Sequence, residues 1–110
     1  MEKKYKLTEE TINVNGRTLY RIEALKDFND IKKGDKGGFI ENEKNLSQSD
    51  TCWVYGNARV YNNAVVYDNA TISGKAVVSD RAVVFGNAKV FGNAQIRCDA
   101  VVCEDAKIYG

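Results

Sequence analysis

The chain has 110 residues, enough for one domain around one core. Sixteen Lys and Arg stand against fifteen Asp and Glu, and the balance holds in each half of the chain. The charge total therefore excludes both a basic nucleic-acid footprint and an acidic surface that mimics DNA.

Other absences narrow the chemistry. No stretch approaches the roughly 20 apolar residues that span a bilayer. The opening MEKKYKLTEE has no apolar signal core, so a cytoplasmic location is expected. There is no Pro and no His. Without His the commonest general base at neutral pH and the commonest zinc ligand are missing, and neither a metal site nor a cofactor is expected. Cys52, Cys98 and Cys103 are odd in number and form no C-x-x-C pair, which predicts reduced thiols rather than a disulfide framework.

In chain order, the first element is a hairpin in TINVNGRTLYRI, residues 11–22. Asn15-Gly16 is the turn, with Ile12 and Val14 before it and Tyr20 and Ile22 after it. KKGDKGG, residues 32–38, reads as a polar, Gly-rich loop; it lacks the G-x-x-x-x-G-K-[ST] pattern of a phosphate cradle. Ile40, Leu46 and Cys52 then fall six apart, in register with the Ala column of the repeat that follows. They predict an irregular first coil. The division expected is a hairpin and loop cap over 1–36 and a solenoid over 37–110, regular from residue 54.

From residue 54 the chain repeats every six residues. Positions 54, 60, 66, 72, 78, 84, 90, 96, 102 and 108 are all Val or Ile, and 58, 64, 70, 76, 82, 88, 94, 100 and 106 are all Ala. Neither the helical period nor the strand period produces a strict six. A short strand followed by a tight corner does, with Val or Ile inward from the strand and Ala inward beside the corner. Asn or Asp stands before most of the Ala residues and Gly recurs one place earlier, residue types that tolerate φ > 0. The result is a coiled parallel β solenoid.

The unit Val84-Phe85-Gly86-Asn87-Ala88-Lys89 resembles the hexapeptide repeat of left-handed β-helix proteins, a superfamily that includes many acyltransferases. An aromatic often fills the second slot here, where that family favours Gly or a polar residue. The resemblance implies an all-β, left-handed parallel β-helix with three hexapeptides per coil, hence about three regular coils, and it implies a homotrimer. The lead-in from Asp27 to Ala58 resembles that of small hexapeptide-repeat proteins of phages and prophages, which implies a phage protein working in the host cytosol.

Counting by eighteen sorts the outward residues onto three faces. One carries Arg59, Tyr61, Val77, Ser79, Gln95 and Arg97. A second carries Trp53, Tyr55, Thr71, Ser73, Lys89, Phe91, Lys107 and Tyr109. The third carries Val65, Tyr67, Val83, Phe85, Val101 and Cys103, all apolar. Such a patch, on the order of several hundred Å², is larger than soluble monomers usually leave bare, so it is expected to self-associate. Tyr55, Arg59, Tyr61, Phe91 and Arg97 are the candidate contacts for a ligand or partner. No residue is assigned a catalytic role.

The expected function is a non-catalytic, trimeric β-helix binding protein that blocks or sequesters a host factor, either a protein or a small nucleotide-like ligand, in an anti-defence role. Two alternatives stand beside it: an acyltransferase-like enzyme using a base other than His, and a structural component of a virion.

Overall fold

The computed structural model describes residues 3–110. The hairpin forms where Asn15-Gly16 places it, and it is longer than the turn signal alone predicts. Strands β1 (Tyr5–Val14) and β2 (Arg17–Ala24) pair antiparallel. Asn15 (φ 52°) and Gly16 (φ 84°) both take left-handed backbone, as a two-residue hairpin turn requires. Strand β3 (Lys36–Ile40) returns antiparallel to β2. The Gly-rich segment is thus only partly a loop: it turns through Lys33 and Gly34, and residues 36–38 are already strand.

The repeat then delivers ten short strands, β4 (Trp53–Val54), β5 (Arg59–Val60), β6 (Val65–Val66), β7 (Thr71–Ile72), β8 (Val77–Val78), β9 (Val83–Val84), β10 (Lys89–Phe91), β11 (Gln95–Ile96), β12 (Val101–Val102) and β13 (Lys107–Tyr109). Each of β4 to β10 pairs in parallel with the strand eighteen residues on, so that Arg59 meets Val77, Val65 meets Val83 and Thr71 meets Lys89. Three sheets result: β1-β2-β3-β5-β8-β11, β4-β7-β10-β13 and β6-β9-β12. The protein is an all-β solenoid with three hexapeptides per coil.

The reason lies in the two invariant columns. Val54, Val60, Val66, Ile72, Val78, Val84 and Val90 are fully buried, as are the Ala residues from 58 to 88. Full burial of a Val or Ile side chain stabilises by about 1.5–3 kcal/mol, and the small Ala beside each corner lets the chain turn without a clash. The structure decides which corner residue is left-handed. Left-handed φ falls at residues 56, 62, 68, 74, 80, 86, 92, 98 and 104, and the residue directly before each Ala is not in that region. Ala58 N–H donates to the Tyr55 carbonyl, so residues 56 and 57 are the central pair of a turn, and the positive φ falls on the first of them, Gly56. Corner side chains also stack at the coil period. Asp68 accepts from Gly86 N–H, Asp80 from Cys98 N–H, and Arg81 pairs with Asp99.

The irregular first coil also departs from expectation. Ile40 pairs with Val60, and Leu46 bridges to Val66, so both stand in the Val column rather than the Ala column. Cys52 does stand in the Ala column, since Trp53 pairs with Thr71. The first coil is therefore two residues longer than a regular one, and the extra length lies in the corner between Leu46 and Cys52.

Lys4 holds that corner. Its side chain is fully buried, and Nζ donates to the carbonyls of Cys52 (2.7 Å), Ser49 (3.2 Å) and Asp50 (3.3 Å) while lying 5.2 Å from the centre of the Phe28 ring. An ammonium has three donors and no acceptor, which suits a corner whose carbonyls have lost their regular partners. Tyr5 adds to the anchor by donating its hydroxyl to the Leu46 carbonyl at 2.6 Å. The segment between β2 and β3 closes over the second face. Together with Tyr5 of β1 (6.2 Å between ring centres), Phe28 of this segment (5.3 Å) packs on and buries Trp53, which the repeat had placed among the outward residues.

These buried groups set an alkaline limit on stability. Burial pushes the Cys52 thiol and the Tyr5 hydroxyl up, and burial together with Asp30 raises Tyr55 to about 12. Their contributions are complete below the ordinary values, 9.0 for the thiol and 10.0 for the phenols, and are lost as pH rises through the raised ones. Lys4 works in the other direction, because burial lowers its pKa and the folded state gains as it discharges. The gain at Lys4 opposes their loss, so the comparison that isolates one group is with Tyr55→Phe: between about pH 8 and about pH 11 the wild-type urea midpoint is expected to fall further than that of the variant. Equal falls would refute the assignment.

Candidate functional site

Three surfaces carry the side chains singled out by the sequence. The first is the outer face of β6-β9-β12. Parallel register stacks Val65 on Val83 and Val83 on Val101. Beside them Tyr67 and Phe85 stack ring on ring, 5.0 Å between centres and 4° between planes. Cys103 continues the column, half-buried. Val101 is 61% exposed, one of two large apolar side chains so open among the described residues. The structure thus brings all six residues of the third face together. The N-terminal segment does not screen them: it extends the first face as a hairpin and covers the second with Phe28.

The second surface is the outer side of β4-β7-β10-β13. Tyr55 is held there by a hydrogen bond to Asp30 (2.9 Å), and Phe91 stacks on Tyr109 (5.3 Å). Tyr55, Thr71, Ser73 and Lys89 line a shallow depression of about 380 Å³.

The third surface lies on the six-stranded sheet. It holds Arg59 and Tyr61, both half-buried, and Arg97, which is exposed. The five candidate contacts therefore divide between two faces, Tyr55 and Phe91 on one and Arg59, Tyr61 and Arg97 on the other. Next to Arg59 is a feature that the repeat did not reveal. One outward row crosses the sheet from β2 to β8 as Arg21, Phe39, Arg59 and Val77, each paired with the next. The Arg21 guanidinium lies 4.3 Å from the centre of the Phe39 ring and donates to the Gly37 carbonyl, the Gly56 carbonyl, Asn57 and Glu10. Glu10 and Ile12 of β1 rise at the edge of this row. The space between them and the solenoid is a groove of about 600 Å³, the size of a small-molecule site. The signal that would have found it is long-range register: Arg21 meets Phe39 only because β2 pairs with β3 across an irregularity, and local spacing does not encode that.

Fold and repeat together define a hexapeptide-repeat β-solenoid protein. Within that class, residues 54–68 and 66–80 match the family model described as the YdcK β-solenoid repeat. A 37-residue stretch, 34% of the chain, is 46% identical to a protein of Escherichia coli (strain K12) named "Uncharacterized acetyltransferase YdcK". The match covers 11% of that relative's length, so the likeness concerns a short stretch of that protein. No helix among the described residues is long and apolar enough to cross a membrane.

Proposed function

We propose that the protein is a non-catalytic binding module whose copies assemble through the β6-β9-β12 face, around a threefold axis, and present their other faces to a host component. The observation that supports this best is the uncovered ladder of Val65, Val83 and Val101 with the Tyr67–Phe85 stack beside it. A second copy fits that surface because the ladder is flat, regular and free of charge, and because closed symmetric assemblies bury one patch against its own copies. Covering it at roughly 25 cal/mol per Å² offsets the cost of association. The lead-in's resemblance to phage proteins supports a host-directed role for the assembly in the host cytosol. Light scattering tests the assembly: a mass near three times the 12.3 kDa of one chain is expected, and a mass of one chain overturns it.

A second reading is favoured by the name of the Escherichia coli relative. It makes the chain an acyltransferase-like enzyme that uses a carboxylate or a thiol as base. The two readings part on one measurement. Incubation with acetyl-CoA and a panel of amine and hydroxyl acceptors is expected to release no free CoA above the blank. Acceptor-dependent release of CoA would replace the non-catalytic reading with the enzymatic one.

A further inference from the structure

The groove between the hairpin and the first face of the solenoid has a charge pattern of its own. Glu10 and Arg21 neutralise each other at 2.8 Å, and Arg21 spends its remaining donors on backbone carbonyls and Asn57. Arg59 and Lys75 remain. Among the described residues neither has a carboxylate within ion-pair reach, although Arg59 is half-buried and Lys75 stands beside it on the groove wall. Two cations without partners thus face one cavity in a chain whose net charge is only +1. Desolvating a guanidinium without a partner is unfavourable, and an anion in the groove removes that cost. Two aliphatic side chains also line the groove: Ile12 from β1 on the hairpin side, and Val77 of β8, the strand partner of Arg59. Phe39 forms the floor but offers no open ring, because Arg21 already lies over it.

We propose that this groove binds a small organic anion, its oxyanion held by the planar donors of Arg59 and the ammonium of Lys75, and its short apolar stem laid against Ile12 and Val77. The volume suits a small molecule, and two free cations are too few for a nucleic-acid track, which needs a row of phosphate contacts. The inference gives a ligand class to the binding module proposed above. It requires a ligand that is held rather than turned over, and it does not require assembly, since every residue of the groove belongs to one chain and none lies on the β6-β9-β12 face. Phosphate esters and carboxylates share the chemistry, and the test separates them.

The test follows backbone amide shifts by two-dimensional NMR while butyl phosphate, pentanoate or uncharged 1-pentanol is added to the full chain. Saturable shifts are expected at Ile12, Arg59 and Val77 with at least one anion, and not at Val83 or Val101. Arg59→Gln and Lys75→Gln should each weaken that binding by about tenfold or more, while Lys107→Gln, at an exposed cation of β13 outside the groove, leaves it unchanged. Saturation with butyl phosphate alone assigns a phosphate ester, with pentanoate alone a carboxylate, and with both the shared chemistry. The proposal is overturned if neither anion saturates by about 20 mM, if pentanol matches them, or if both groove variants bind as the wild type does. Loss of anion binding with the threefold mass retained would reject the groove and leave the assembly standing.

Discussion

Val83→Glu is expected to leave the coil intact and to abolish self-association, so that light scattering reports one chain of 12.3 kDa where the wild type reports three. Val83 is the middle of the apolar ladder, between Val65 and Val101 in parallel register. Its side chain points outward, and the inward position beside it is Val84, which is fully buried. A carboxylate at 83 therefore meets water in a single chain. In the assembly it would be desolvated against copies of itself, and an unpaired buried charge costs several kcal/mol. Three such charges around one axis repel one another as well. Circular dichroism separates a lost interface from a lost fold: the spectrum should be that of the wild type while the mass falls. An unchanged mass would move the interface to another face.

Gly38→Ala is expected to be the most damaging single-methyl change, lowering unfolding free energy by about 3 kcal/mol. A Cβ at this position would lie 2.4 Å from the Ala58 carbonyl oxygen and 2.6 Å from Val54 Cγ1. The first is backbone, and it accepts the Phe39 N–H at 2.9 Å in the pairing of β3 with β5, so it cannot move without breaking that pairing. The constraint arises where the longer first coil is pressed onto the first regular one. Gly37 is similarly confined, its Cβ position lying 2.5 Å from the Val54 carbonyl oxygen. By contrast, a Cβ at Gly34 would meet nothing within 4 Å. A fall in the urea midpoint with an unchanged slope is the expected result, and a midpoint within error of the wild type would show that the first coil yields.

The sequence was informative wherever structure repeats. A strict Val-or-Ile column and a strict Ala column specify a strand and a corner without any long-range contact, because each hexapeptide finds the same environment in the coils above and below it. The period of eighteen then placed Val65, Val83 and Val101 on one face, and Tyr67 and Phe85 side by side. Asn15-Gly16 specified its turn for an equally local reason, since both residues tolerate left-handed backbone at little cost. Even within the repeat, composition alone did not choose the left-handed residue, because Asn or Asp before the Ala and Gly one place earlier both tolerate that backbone. Only the folded backbone distinguishes the two, since a turn closed from Ala58 to Tyr55 admits a positive φ at either central residue.

Outside the repeat, local pattern lost its hold. Ile40 and Leu46 keep the spacing of six and yet belong to the Val column, since two extra residues sit in the corner after Leu46 and no local signal marks them. Trp53 has the position of an outward residue and is buried, because Phe28 and Tyr5 arrive from distant parts of the chain. Lys4 reads as one of many N-terminal charges. Its burial follows from three carbonyls of the irregular corner that need donors, which only the folded chain assembles. The groove is the same case on the surface: Arg21, Phe39, Arg59 and Val77 come from four strands and become a row through register.

By itself, then, the sequence determined the hexapeptide coil, its three faces, the hairpin turn and the apolar ladder, all of them consequences of short-range periodicity. Only the tertiary structure decided how the hairpin joins the first face, which outward residues are covered, where the buried cation sits, and that Arg59 and Lys75 share a cavity. Those depend on pairing between segments far apart in the chain, where one slip of register would send every side chain to the opposite face.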